Sequence, residues 1–475
     1  MVLLTDLSNE LLEEILLLAT RGDQECLREV AKWRRECESE VALLALHLLR
    51  HPHHRSLVRT LEFNSLSTLH SVGRVPSWSP IATRVGPRSE TLAELAEAAE
   101  RTFPPNLASR WSHRIRNGCA DAIAALILAW STRVTEVGFA LSPLTQEDDG
   151  LYLSDDEVYH SDDDEVEFAL PSPTREDDDM EHSNGMMMQF INWAAQNIST
   201  TESEDLSLSE VQHLRMRTRM NGYGETELAS SVFQLPKLKT LETLGLKVSG
   251  DEVPIIPQDG LKIEKLYLKD FEITGNRLWN VIGACRQLRV LDLDLNSSPN
   301  FFGSKRQMSN AILRQAGSIK EIYLKFHKWG VRWDDTQFLS GYEIPLDRCS
   351  ARLSQLHTLT ADVKDLLPSP EGPITPDFLV TRLPVSIREL TINWYTVEMG
   401  SSLETIAIGT GEVDIWLGIV EVLKVLLPEA RPGYKFSNLR YLDASEILLG
   451  SDELQKVVKI GESNGVHVEN FSVAF

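Results

Sequence analysis

The apolar positions between residues 263 and 295 follow one rule. Ile263, Leu266 and Leu268 precede an amphipathic run, and Leu288, Leu291 and Leu293 follow it. Each triplet has the form apolar-x-x-apolar-x-apolar. Its last three positions alternate, so Leu266 and Leu268 point to one face of a strand while Lys265, Tyr267 and Lys269 point to the other. Between the two strands, Leu278, Val281, Ile282 and Cys285 fall at helical spacing, which predicts a helix packed behind the sheet. From Leu266 to Leu291 the period is 25 residues.

The same triplet recurs along nearly the whole chain. Its central residues are Leu61, Val137, Leu214, Leu244, Leu266, Leu291, Ile322, Leu359, Leu390, Leu442 and Phe471, eleven matches in all. Helices predicted over Val41–Leu49, Thr91–Arg101, Ser112–Ser131, Met186–Asn197, Asp414–Leu427 and Asp452–Asn464 fill the return paths. One strand with its return helix cannot bury an apolar face alone. Stacked units can, and the expected fold class is an α/β solenoid: a curved parallel sheet with helices on the convex side. Residues 64–88, with Pro76, Pro80 and Pro87, read as an irregular excursion, and 396–412 as an inserted segment.

Residues 1–38 stand apart. Asp6 or Ser8 can cap a helix from about Asn9 to Thr20, with Leu11, Leu12, Ile15 and Leu16 on one stripe. Arg21, Gly22 and Asp23 end it and start a second helix carrying Leu27, Val30 and Trp33. Such a hairpin is too small to be stable alone and must pack on something else.

The run Leu7–Leu16 resembles the opening of an F-box, L-P-x-E-[LI]-[LI]-x-x-I-[LF], with Ser8 in place of the Pro. Leu27–Trp33 resembles the family's L-x-x-V-x-x-x-[FW] with one residue fewer. Residues 41–475 resemble the irregular leucine-rich-repeat proteins of fungi that often begin with an F-box. The resemblance implies a leucine-rich-repeat domain behind a short N-terminal F-box-like helical hairpin. It implies that Leu7, Leu11, Leu12, Ile15 and Leu16 dock on the small adaptor subunit of an SCF-type cullin–RING ubiquitin ligase. A target protein would then sit on the concave repeat face. The same hairpin also suits a second role, a cap over the open edge of the first repeat, which makes the chain a ligase-independent scaffold.

Charge sharpens the division. The chain carries a net −23, and residues 147–181 alone hold sixteen Asp/Glu against Arg175. Residues 143–184 therefore read as an acidic disordered insertion within the repeat domain. Ser154 and Ser161 each precede carboxylates, the context of acidophilic kinases, and are the phosphorylation candidates. The acidic balance argues against nucleic acid as a partner. Five scattered cysteines without a C-x-x-C pair point to a reducing compartment, cytoplasmic or nuclear. The longest wholly apolar run, Ala122–Trp130, is far short of a bilayer span. No phosphate loop, nucleophile elbow or metalloprotease motif is present, and His51, His53 and His54 beside Pro52 read as a solvated turn. The expectation is a non-enzymatic binding protein without cofactor or metal.

Between the inward apolar positions, the outward ones carry His213, Arg215, Arg217, Lys247, Lys265, Tyr267, Lys269, Tyr323 and Lys325. Asp292 and Asp294 interrupt them. This is a basic, tyrosine-containing patch, suited to an acidic or phosphorylated target. The acidic insertion is long enough to reach the patch and screen it.

Overall fold

The fold is a computed structural model that describes residues 38–67, 89–142, 185–200, 207–218, 227–249, 259–270, 273, 275–296, 305–327, 346, 350–362, 366, 375–393, 420–444 and 452–469. The hairpin with Leu7, Leu11, Leu12, Ile15 and Leu16, the insertion with Ser154 and Ser161, the segment 396–412 and most of 64–88 lie outside the described residues.

Thirteen strands are present among the described residues. They are β1 (Thr60–Ser67), β2 (Glu136–Ser142), β3 (His213–Thr218), β4 (Glu227–Ala229), β5 (Thr240–Leu244), β6 (Lys247–Ser249) and β7 (Lys265–Lys269). Then come β8 (Val290–Asn296), β9 (Glu321–His327), β10 (Thr358–Asp362), β11 (Glu389–Asn393), β12 (Tyr441–Asp443) and β13 (His467–Val468). Eleven form one open sheet in the order β1-β2-β3-β5-β7-β8-β9-β10-β11-β12-β13, and every pairing is parallel. The chain is thus an α/β protein whose strands join the sheet in chain order.

The register explains the repeating triplet. Leu61, Val137, Leu214, Leu241, Leu266, Leu291, Ile322, Leu359, Leu390, Leu442 and Val468 lie side by side in one row. Leu266, Leu291, Ile322 and Leu390 are fully buried. Each such side chain removed from water contributes roughly 1.5–3 kcal/mol, so the row is the main source of cohesion between neighbouring strands.

Helices cover the inward side. They include α1 (Glu38–Arg50), α2 (Ser89–Thr102), α3 (Pro105–Arg116), α4 (Ala120–Trp130), α5 (Met186–Thr200), α6 (Gly275–Ala284) and α7 (Lys305–Arg314). The expected helix behind β7 is α6, with Leu278, Val281 and Ile282 buried. Where the pattern predicts one helix over Ser112–Ser131, there are two. Gly118 breaks the run with φ +78°, a left-handed conformation that a helix cannot continue through. Phe103, Trp111 and Phe190 bring α2, α3 and α5 together, with ring centroids 3.9 to 6.0 Å apart.

Two polar groups hold joints in this core. Asp121, at the start of α4, accepts from the Met186 amide through Oδ2 at 2.6 Å and from Cys119 Sγ through Oδ1 at 2.8 Å. It thereby anchors α5, the first described element after residues 143–184. Gln315, just past α7, donates to the carbonyls of Ile282 (3.0 Å) and Cys285 (2.8 Å) and accepts from the Leu288 amide (3.1 Å). It gives the Cys285 carbonyl a donor where α6 ends, and shares the Ile282 carbonyl with the Cys285 amide at 3.3 Å.

Two strands depart from the expected phase. The fourth unit was expected to centre on Leu244, but Leu241 pairs with Leu214 and Leu266, and Thr243 takes the second inward position. Gly245, at φ +71°, turns the chain out of the sheet, and a Cβ there would collide with Thr218 Oγ1. The chain continues into β6, which pairs with β4 in a separate two-stranded sheet. The last strand centres on Val468, opposite Leu442, and not on Phe471, which lies outside the described residues.

Candidate partner-binding face

Side chains between the inward rows form the outward face. Its first row runs Thr60, Glu136, His213, Thr240, Lys265, Val290, Glu321, Thr358, Glu389, Tyr441, His467 across neighbouring strands. Its second runs Glu62, Gly138, Arg215, Glu242, Tyr267, Asp292, Tyr323, Thr360, Thr391, Asp443. A partial third row contains Arg217, Leu244, Lys269, Asp294 and Lys325.

Eight of the nine residues expected in the patch occupy these rows: His213, Arg215, Arg217, Lys265, Tyr267, Lys269, Tyr323 and Lys325. Lys247 does not, because it belongs to β6 in the other sheet. Its expected place followed from the mis-set phase of the fourth unit.

The same phase error hid Glu242, and Glu242 changes the electrostatics. Arg215 Nε donates to its Oε2 at 2.8 Å and Arg217 Nη2 to its Oε1 at 2.6 Å. Burial alone would raise the Glu242 carboxyl. The hydrogen bonds from Arg217 and Arg215 outweigh that and hold it below the usual carboxylate range. Lys269 Nζ lies 3.4 Å from Asp292 Oδ2. Three cations of the expected patch are therefore already engaged by carboxylates of the same face, and the patch is a mixed-charge surface.

Gly138 opens a notch in the second row, between Glu62 on β1 and Arg215 on β3. The resulting concavity is about 240 Å³, lined by residues including Thr60, Glu62, Glu136, His213, Arg215 and Glu242.

Toward β13 the face turns acidic and tyrosine-rich. Tyr323 donates to Glu321 Oε2 at 3.1 Å, Thr358 to Glu389 Oε2 at 3.1 Å, and Tyr441 to Glu469 Oε2 at 3.3 Å. Burial, reinforced by these carboxylates, pushes the Tyr323 and Tyr441 hydroxyls up to about 12. Both therefore stay protonated and donate. Burial also raises the Asp292 carboxyl above its ordinary value despite Lys269 beside it.

The histidine turn has a fourth member from α1. His47 Nε2 and His54 Nδ1 share a hydrogen bond of 2.8 Å with their rings stacked, and His51 and His53 meet them in tilted and edge-on contacts. Among the described residues, no three His, Cys, Asp or Glu side chains are placed to hold a metal ion. Among the same residues, no helix is long and apolar enough to cross a membrane.

A scan against models of known protein families and a search of curated proteins each found no match to this chain.

Sequence reasoning missed Glu242, Glu321 and Glu389 as face residues. The signal that finds them is the position immediately before or after each central apolar residue, read in the correct phase.

Proposed function

We propose that the chain is a protein-recognition subunit built on a leucine-rich-repeat solenoid, and that it serves as the substrate-recognition component of an SCF-type cullin–RING ubiquitin ligase. The observation that supports recognition is the outward face. Eleven parallel strands in chain order present two rows of charged, aromatic and hydroxyl side chains beside a fully apolar inward row. A surface so placed is suited to holding an extended partner. The ligase reading adds the F-box-like run Leu7–Leu16, which would dock on the small adaptor.

The test is affinity purification of the full chain with mass spectrometry. Co-purifying adaptor and cullin, lost on Leu11→Asp with Ile15→Asp while the sheet domain keeps its melting profile, supports the ligase role. Ser8 in place of Pro and the shortened second helix favour the other reading, a ligase-independent scaffold whose hairpin is a cap. In that case the purified chain carries no adaptor, and the double substitution lowers the melting temperature.

A further inference from the structure

Over β8 to β13 the outward face is predominantly acidic, with Lys325 of β9 in the third row and Lys269 of the neighbouring β7 against Asp292. Its first two rows there hold Asp292, Glu321, Glu389 and Asp443 and contain no Lys or Arg. Glu321 and Glu389 are held in place by the hydroxyls of Tyr323 and Thr358, and each hydroxyl takes a single carboxylate oxygen. Neither carboxylate meets a lysine or arginine among the described residues. The face is thus a positioned row of acceptors with aromatic rings beside it.

The spacing of that row is informative. Glu321 and Glu389 occupy the same row with only Thr358 of β10 between them. Two strand separations place them about 10 Å apart. A polyproline-type peptide rises about 3.1 Å per residue with three residues per turn, so side chains three positions apart share one side at roughly 9 Å. An arginine fork matches a carboxylate in two parallel hydrogen bonds. The rings of Tyr323 and Tyr441 add cation–π attraction for the same guanidinium groups.

The occupant is not the chain's own acidic segment. With sixteen Asp/Glu between residues 147 and 181, that segment is repelled by a face of the same sign. We propose that the face across β9 to β11 docks an extended basic segment of a partner protein, with arginines at every third position. This inference rests on the reading of the chain as a protein-recognition subunit and defines the chemistry of its partner.

The test uses the full chain and fluorescence anisotropy with three labelled peptides of equal length. One carries three arginines spaced R-x-x-R-x-x-R, one has the same composition with the arginines contiguous, and one has glutamates in their place. The spaced peptide is expected to bind at least about fivefold tighter than the contiguous one, because it engages two carboxylates at once. Its affinity should fall at least about tenfold between roughly 0.05 and 0.3 M salt. Glu321→Gln with Glu389→Gln should weaken it at least about tenfold, whereas Glu90→Gln with Glu97→Gln on α2 should leave it within about twofold. Circular dichroism melting confirms that each variant is folded.

Equal binding of the two arginine peptides overturns the proposal, as does binding that survives the Glu321 and Glu389 substitutions. Either result assigns the attraction to overall negative charge, residues 147–181 included. Co-purification of adaptor and cullin reports on the ligase reading independently of Glu321 and Glu389. That reading and the basic-partner inference therefore fail separately.

Discussion

Replacing Gln315 should loosen the joint between the units of β7 and β8 more than its small size suggests. The side chain is 2 % exposed and makes three hydrogen bonds to backbone groups near the end of α6 and the start of β8. A net hydrogen bond is worth about 0.5–1.5 kcal/mol, and a buried group left without a partner costs about 1–3 kcal/mol. Gln315→Met keeps the volume and removes all three bonds, and with them the bond that Oε1 accepts from the Ser318 hydroxyl at 3.2 Å, leaving the Leu288 amide and two carbonyls without this partner. The expected loss is about 2–4 kcal/mol. Gln315→Glu should be worse than Gln315→Met, because it aims a second acceptor at the carbonyls of Ile282 and Cys285. Chemical denaturation measures the total. Hydrogen exchange locates it, since the Leu288 amide should lose protection by roughly 30-fold for every 2 kcal/mol of local destabilisation. A Met variant within about 0.5 kcal/mol of the parent, or a Glu variant no worse than the Met one, would refute the joint.

Asp121→Asn keeps an acceptor for the Met186 amide and removes a carboxyl whose pKa is raised, chiefly by burial. A raised folded pKa adds stability that is present at low pH and lost as pH climbs through it, so the Asn variant should melt with a flatter pH profile on the alkaline side of the ordinary carboxylate value. Asp121→Leu, which loses both bonds, should cost about 2–4 kcal/mol by denaturant titration. His54 is pushed down to about 4 by burial and by His53, His47 and His51 around it. Its depressed value means stability is complete above about 6.5 and lost as pH falls through about 4, so His54→Asn should flatten the melting temperature over that window. Thr243 is fully buried and its Oγ1 has no partner among the described residues, so Thr243→Val should melt at or above the parent, a gain of up to about 1 kcal/mol; a clear loss would reveal a hidden acceptor.

The sheet was legible because its inward row is apolar in every strand and the interval between Leu266 and Leu291 holds one return helix. Legibility failed where one polar residue took an inward place. Thr243 broke the triplet built on Leu238 and Leu241, and Leu244 and Leu246 offered a false match three positions later. In a strand an odd shift reverses every side chain, so Glu242 and Lys247 were assigned to the wrong faces by the same slip. The three-residue strands β4 and β6 carry too little alternation to be recognised from sequence. Gly118, preceded by Asn117, marks the break between α3 and α4, a turn signal lying between the polar end of α3 and the apolar run of α4. The outward rows were harder still. Which charge faces which depends on the register of two strands that can be far apart in sequence, as with Thr358 and Glu389, 31 positions apart.

That register also determines how the face tolerates its own charge. Like charges on adjacent strands of a row would lie about 5 Å apart and repel. Glu321 and Glu389 are two strands and about 10 Å apart with Thr358 between them, so their mutual repulsion is weaker. Near β3 and β5 the repulsion is offset internally, because Arg215 and Arg217 clasp Glu242. Near β9 to β11 the carboxylates of Glu321 and Glu389 have, among the described residues, only neutral hydroxyls from Tyr323 and Thr358 as hydrogen-bond donors. Neutral donors orient a carboxylate without cancelling its charge. The inward row supplies the stability that makes this arrangement tolerable, since Ile322, Leu359 and Leu390 directly beneath are fully buried. Outward substitutions at Glu321 and Glu389 should therefore move folding stability by no more than about 0.5 kcal/mol. The same substitutions remove the two carboxylates of that row across β9 to β11 that a cation there would meet. A cationic partner relieves the repulsion that the fold leaves in place, so its binding energy comes from the part of the face that the inward core does not need.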